Sequence, residues 1–116
     1  MDESILTSIK TQLALMPEDE SFDRELIIFI NAAFARLTQL GVGPMPHFQI
    51  ADDSTTWDEY VTDITQEEMA KVYVYLKVKR LFDPPANSTL AKAIDEEIAM
   101  YEYLLKVEAE DDAEYE

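Results

Sequence analysis

The stretch Arg80-Leu81-Phe82-Asp83-Pro84-Pro85-Ala86-Asn87-Ser88 separates two long helix-like segments and decides how the chain is built. Two consecutive prolines fix φ at about −65°, withdraw two amide donors and push Asp83 out of the helical region. Asn87 and Ser88 then offer side-chain oxygens that cap a following helix. Asp83, Pro84 and Pro85 therefore read as a rigid elbow. It is a statement about architecture, not chemistry.

Upstream of the elbow, Thr65-Gln66-Glu67-Glu68 fits a capping box and predicts a helix over 66–81. Its middle, Val72-Tyr73-Val74-Tyr75-Leu76-Lys77-Val78-Lys79, is β-branched and aromatic enough to suit a strand. The capping box and the uninterrupted span favour helix. That helix is apolar on two sides, with Met69, Val72, Tyr73 and Leu76 on one and Tyr75, Val78 and Phe82 on the other. Downstream, a helix over 89–106 carries the stripe Leu90, Ile94, Ile98, Tyr101 and Leu105. Ala93, Met100, Leu104 and Val107 widen it to nearly half the circumference. Glu97 falls inside this arc and is expected to pair with the basic cluster Lys71, Lys77, Lys79 and Arg80.

In the first half, Ser4 is placed to cap a helix over 4–13 with Ile5, Ile9 and Leu13 on one stripe. Phe22-Asp23-Arg24-Glu25-Leu26 resembles a staple and cap opening a helix over 24–40 that stops at Gly41. Leu26, Phe29, Ile30, Ala33, Leu37 and Leu40 form its core stripe, yet Ile28, Ala32 and Ala35 make the opposite side apolar too. Residues 41–57 hold both glycines and two of the five prolines and read as a long loop. Phe48-Gln49-Ile50 supplies at most a minor β element over 47–51. Trp57 and Tyr60 are expected to plug the core from a short helix over 57–62. The fold class is thus all-α: a compact bundle of four main helices plus one short helix, spanning 1–107. Residues 108–116 carry six acidic side chains and no base, and are expected to form a disordered, flexible acidic tail.

Three helices with apolar surface to spare exceed what one domain of 116 residues needs. The candidate interface is Ile28, Ala32, Ala35, Tyr75, Val78, Phe82, Met100, Tyr103, Leu104 and Val107. Self-association or docking follows.

Charge narrows the function. With 25 acidic and 9 basic side chains the net charge is −16, a surface that duplex nucleic acid repels. The absence of cysteine removes disulfides and thiolate metal sites. No apolar run reaches the ~18 residues of a membrane span, and Met1-Asp2-Glu3-Ser4 does not open a signal peptide, so action in a cytoplasm or an assembly built there is expected. His47 is the single histidine and lacks a recognisable nucleophile or carboxylate partner. Asp52, Asp53, Asp58 and Glu59 lack the spacing of a calcium loop. Gly41-Val42-Gly43 is too short to cradle phosphate. No catalytic, cofactor or metal residue is assigned.

The order of motifs resembles that of small head–tail connector proteins of long-tailed bacteriophages. The likeness runs through Asp23-Arg24-Glu25-Leu26-Ile27, Asn31-Ala32-Ala33 and Leu37-Thr38-Gln39-Leu40-Gly41-Val42-Gly43. It continues through Phe48-Gln49-Ile50, Thr56-Trp57-Asp58, Tyr73-Val74-Tyr75-Leu76-Lys77-Val78-Lys79, Leu81-Phe82-Asp83-Pro84-Pro85 and Asn87-Ser88. It covers residues 4–106 and leaves out the acidic tail. The resemblance implies a non-enzymatic virion protein that forms a ring, commonly a dodecamer, beneath the portal protein at the head–tail interface. Such a ring completes the head after DNA packaging, offers a surface to a stopper or tail-completion protein, and lets DNA pass without specific binding. Assembly would take place in the host bacterial cytoplasm. A channel lined with carboxylates would suit that passage. The rival readings are an acidic inhibitor that mimics DNA, another binding or regulatory module, and a metal-dependent hydrolase. Mimicry needs carboxylates spaced regularly along one face, whereas here they concentrate in loops and the tail.

Overall fold

The computed structural model describes residues 3–43, 47–61 and 64–114. Met1-Asp2, Pro44-Met45-Pro46 of the expected loop, Thr62 at the expected end of the short helix with Asp63 after it, and the last two residues lie outside them. Five helices follow in order: α1 (Ile5–Gln12), α2 (Asp23–Gln39), α3 (Trp57–Tyr60), α4 (Ile64–Phe82) and α5 (Ser88–Glu114). There is no strand among the described residues, only an isolated bridge between Ser4 and Thr56. The all-α expectation holds.

Local chemistry sets most helix ends. Ser4 Oγ accepts from the Thr7 amide at 3.2 Å, capping α1 as the sequence indicates. Gly41 takes φ of 78° just past α2, and the Val42 amide returns to the Leu37 carbonyl at 2.9 Å. This is the left-handed helix stop that glycine permits. At the elbow, Asn87 Oδ1 accepts from the amides of Thr89 and Leu90 at 2.7 and 3.2 Å, so the expected cap opens α5. Two expectations fail here. Helix α4 begins at Ile64, which places Thr65 inside its first turn, and the capping box sits instead at Thr56, whose amide donates to Glu59 at 2.7 Å. Helix α5 continues through Glu114 where a disordered tail was expected after Val107. Nothing between Glu108 and Glu114 breaks a helix, and extending an existing helix avoids the cost of nucleation. Ala109 also packs partly against the core.

Helix α4 is central. It packs along α2 on one side and α5 on the other, while α1 leans on α2. A helix held between two neighbours needs two apolar faces for folding alone, which accounts for its composition. Ala70, Tyr73, Val74 and Val78 are buried between them. Phe82 meets Phe22 edge-to-face at 5.2 Å, joining the end of α4 to the start of α2.

The other half of the core gathers on Trp57, which is wholly buried. The N-terminal strand-like residues hold its segment in place: the Ile5 amide donates to Thr55 O at 3.0 Å and the Trp57 amide to Glu3 O at 3.1 Å. Its indole Nε1 donates to Ser8 Oγ at 2.9 Å, and that hydroxyl donates to the Ile5 carbonyl. Phe34 stacks obliquely on Tyr60 at 4.7 Å and edge-on to Phe48 at 5.0 Å. The minor β element expected over 47–51 does not form. Asn31 takes the place of a partner strand: its Nδ2 donates to Ile50 O at 3.0 Å and its Oδ1 accepts from Ile50 N at 2.8 Å. One side chain thus pins the loop to α2.

Gly43 is fixed by the same cluster. Its φ is 90°, and an added Cβ would lie 2.6 Å from the Tyr60 hydroxyl. Gly43→Ala therefore combines a left-handed backbone with a clash against a buried ring. A loss of roughly 1–3 kcal/mol is expected in urea denaturation.

Candidate docking surfaces

The residues singled out for contact separate into two groups. Tyr75 and Phe82 are half-buried and Val78 is completely buried, so the α4 part of the expected interface is largely taken up by packing within the domain. The reason is the double packing of α4. Ile28, Ala32 and Ala35 on α2 and Met100, Tyr103 and Leu104 on α5 are exposed, and Val107 is half-buried.

On α5 the apolar positions form two seams. Ile98, Tyr101 and Leu105 turn inward against the core. Leu90, Ala93, Glu97, Met100, Leu104 and Val107 recur at spacings of three and four along another side, and all but the half-buried Val107 are exposed. Leu90 is 58% exposed and Tyr103, beside this seam, 66%. Glu97 is exposed and does not make the expected pair. Asp95 instead accepts from Arg80 Nε at 2.9 Å across the elbow, because it stands two residues nearer the elbow and, at ~200° of rotation from Glu97, on another side of α5.

On α2 the outward stripe is Arg24, Ile28, Ala32, Ala35 and Gln39, with Ile28 57% exposed. Along its flank lies a shallow cavity of about 220 Å³. Asn31, Ala35, Thr38 and Gln39 line one wall, and His47, Phe48 and Gln49 the other. His47 takes φ of 62°, and its amide donates to Thr38 Oγ1 at 3.2 Å. Its role is to close this wall.

The polar groups the sequence left unassigned are committed to structure. Lys10, only 3% exposed, donates to the Pro17 carbonyl at 2.9 Å and pairs with Asp23 at 2.8 Å, locking the α1–α2 turn. The Tyr73 hydroxyl on α4 donates to Glu102 of α5 at 2.8 Å, and Arg36 of α2 reaches the same carboxylate at 3.4 Å. Three helices meet at that carboxylate. Asp52 accepts from the Ser54 amide and hydroxyl, which lowers its pKa, and Thr56 engages both Asp58 and Glu59. Among the described residues no group of three or more metal-binding side chains converges, and no helix is long and apolar enough to cross a membrane.

Burial, then the bond to Glu102 and the charge of that carboxylate, push the Tyr73 phenol well above its ordinary value of 10.0; burial does the same to Tyr60. Raised folded-state values mean that this stability is fully present below pH ~10 and drains away as pH climbs toward the folded values. Alkaline unfolding is therefore expected to steepen above pH ~10. Tyr73→Phe should flatten that limb relative to the parent when melting is followed by circular dichroism. An unchanged slope would show that Tyr73 does not carry the effect.

The polar clusters tie the domain's own elements together, and large apolar side chains stay exposed on α2 and α5 as well as at Met16, Phe22, Ile64 and Leu81. The family model of the phage connector protein matches residues 5–112, and the chain belongs to that family. It is a structural connector of bacteriophage, a component of the virion that assembles with other head and tail parts. Comparison with curated proteins and with solved structures finds no match.

Proposed function

We propose that the protein is a head-completion adaptor, forming a ring beneath the portal protein, commonly of twelve copies. The ring lets DNA through and offers its far side to a stopper or tail-completion protein. The observation that carries this reading is the pair of unlike apolar faces on α2 and α5 in a member of the connector family. Unlike faces that meet head-to-tail build a ring where the rotation between copies closes, whereas a self-complementary patch stops at a dimer. The net charge of −16 per chain supports passage of DNA without adhesion. The elbow at Asp83, Pro84 and Pro85 would fix how α5 presents its face relative to the body.

The test uses DNA-filled, portal-bearing capsids that lack this protein. Adding the purified chain is expected to place ring density at the portal vertex and to restore tail attachment. Bare vertices after incubation at saturating protein would overturn the proposal. Inhibition of a nuclease or restriction enzyme by the free chain, with no vertex binding, would favour a DNA mimic.

A further inference from the structure

We infer that α5 of one copy docks antiparallel onto the outer face of α2 in a second copy, with Tyr103 as a knob seated in the cavity beside Ala35. The inference rests on the proposed ring and names the two surfaces that would build it.

Size matches first. The α2 stripe is small at Ala32 and Ala35, while the α5 seam is large at Met100 and Leu104. Large side chains over small ones let two helices approach closely and interdigitate. Laying Leu104 over Ala32 in an antiparallel sense brings Met100 toward Ala35 and Gln39, and Val107 toward Ile28, since both helices advance by the same rise.

Handedness then selects the direction. In sequence angle, at ~100° per residue, Tyr103 lies to one side of the Met100–Leu104 seam. The cavity lies to the corresponding side of the Ile28–Ala35 stripe, towards Asn31 and Thr38. Two helices facing each other bring such corresponding flanks together only when they run antiparallel. The parallel arrangement leaves Tyr103 and the cavity on opposite sides.

The cavity fits the knob in chemistry and in size. Its volume of about 220 Å³ exceeds the ~150 Å³ that accommodates benzene. Gln39 and Gln49 supply polar groups at its walls, and Ala35 and Phe48 supply apolar surface. An aromatic ring with a hydroxyl at its tip uses both. Tyr103 is the most exposed aromatic side chain among the described residues. Charge agrees as well, because the same alignment brings exposed Glu110 toward exposed Arg24.

The chain contains no cysteine, so engineered thiols report contacts without background. Ala32→Cys and Leu104→Cys are made separately and together, then oxidised at a salt concentration that promotes assembly, with sedimentation run in parallel. Each single variant is expected to stay uncrosslinked, their mixture to give a heterodimer, and the double variant a ladder of multimers. Tyr103→Ala should weaken assembly by about tenfold or more, as for an anchor residue, and Tyr103→Phe by less. Circular dichroism confirms that each variant is folded. Crosslinked dimers from Leu104→Cys alone would overturn the inference in favour of α5 pairing with itself. Assembly without mixed crosslinks would overturn it and leave the ring standing. A chain that stays monomeric throughout, without crosslinks, would overturn the pairing, while vertex binding to capsids would still judge the ring separately.

Discussion

Trp57→Ala is expected to lower the protein's melting temperature sharply, with a loss of roughly 3–5 kcal/mol. That is a large share of the ~5–15 kcal/mol that holds a domain of this size together. Three contributions act together. The indole is wholly buried, so its removal leaves a cavity bounded by Phe34 and the first helix. Ser8 loses the donor that its hydroxyl accepts. The segment carrying Trp57 also holds the N-terminal residues through the Ile5 and Trp57 amides, so loosening it frees α1. Trp57→Phe keeps much of the volume and loses only the indole bond and part of the packing, so its cost should be closer to 1–3 kcal/mol. Because Trp57 is the single tryptophan, urea unfolding is best followed by far-ultraviolet circular dichroism. If Trp57→Ala melts within about 1 kcal/mol of the parent, the aromatic cluster is not the keystone of this half of the core.

The elements of this fold were legible because each is written in local chemistry. The elbow, the Ser4 cap, the Gly41 stop and the Asn87 cap each depend on residues within five positions of one another. The choice of helix over strand for Val72–Lys79 also followed from length and flanks rather than from propensity, and α4 is helical. What could not be read is what depends on neighbours distant in sequence. The second apolar side of α4 carried the same pattern as those of α2 and α5, yet α4 lies between two helices and the others each have an open flank. Sequence periodicity reports an apolar face without saying what covers it. Phe34 was missed for a related reason: it extends the α2 core arc toward Phe48 and Tyr60, a loop and a short helix whose return could not be placed from spacing. Lys10 reads as a solvated lysine until the turn after α1 brings Pro17 and Asp23 around it. Glu97 was the acid inside the apolar arc, but the elbow sets α5 at an angle that gives Arg80 to Asp95 and Tyr73 to Glu102. Of the candidate surface, the α2 portion and all of the α5 portion but half-buried Val107 are exposed, whereas in the α4 portion Val78 is buried and Tyr75 and Phe82 are half-buried.

Charge is expected to gate assembly. At −16 per chain, a dozen free copies repel one another strongly, and at low salt the isolated protein should sediment largely as a monomer despite its open apolar faces. Salt shortens the range of that repulsion, from a Debye length of about 30 Å at about 0.01 M to about 3 Å at about 1 M. The apolar contacts lose nothing to salt, so self-association should rise across the series. Truncation after Glu110 removes Asp111, Asp112, Glu114 and Glu116, four charges of the sixteen, while keeping Ala109, which packs on the core. It should shift the monomer–oligomer transition to lower salt without lowering thermal stability. On a capsid the portal would act as the template, raising the local concentration of subunits enough to offset the same repulsion. Sedimentation velocity on the full and truncated chains across the salt series decides the matter. A stable ring of full-length protein at low salt, or a truncated chain that is more monomeric than the parent, would show that charge does not gate assembly and that the end of α5 is itself a binding element.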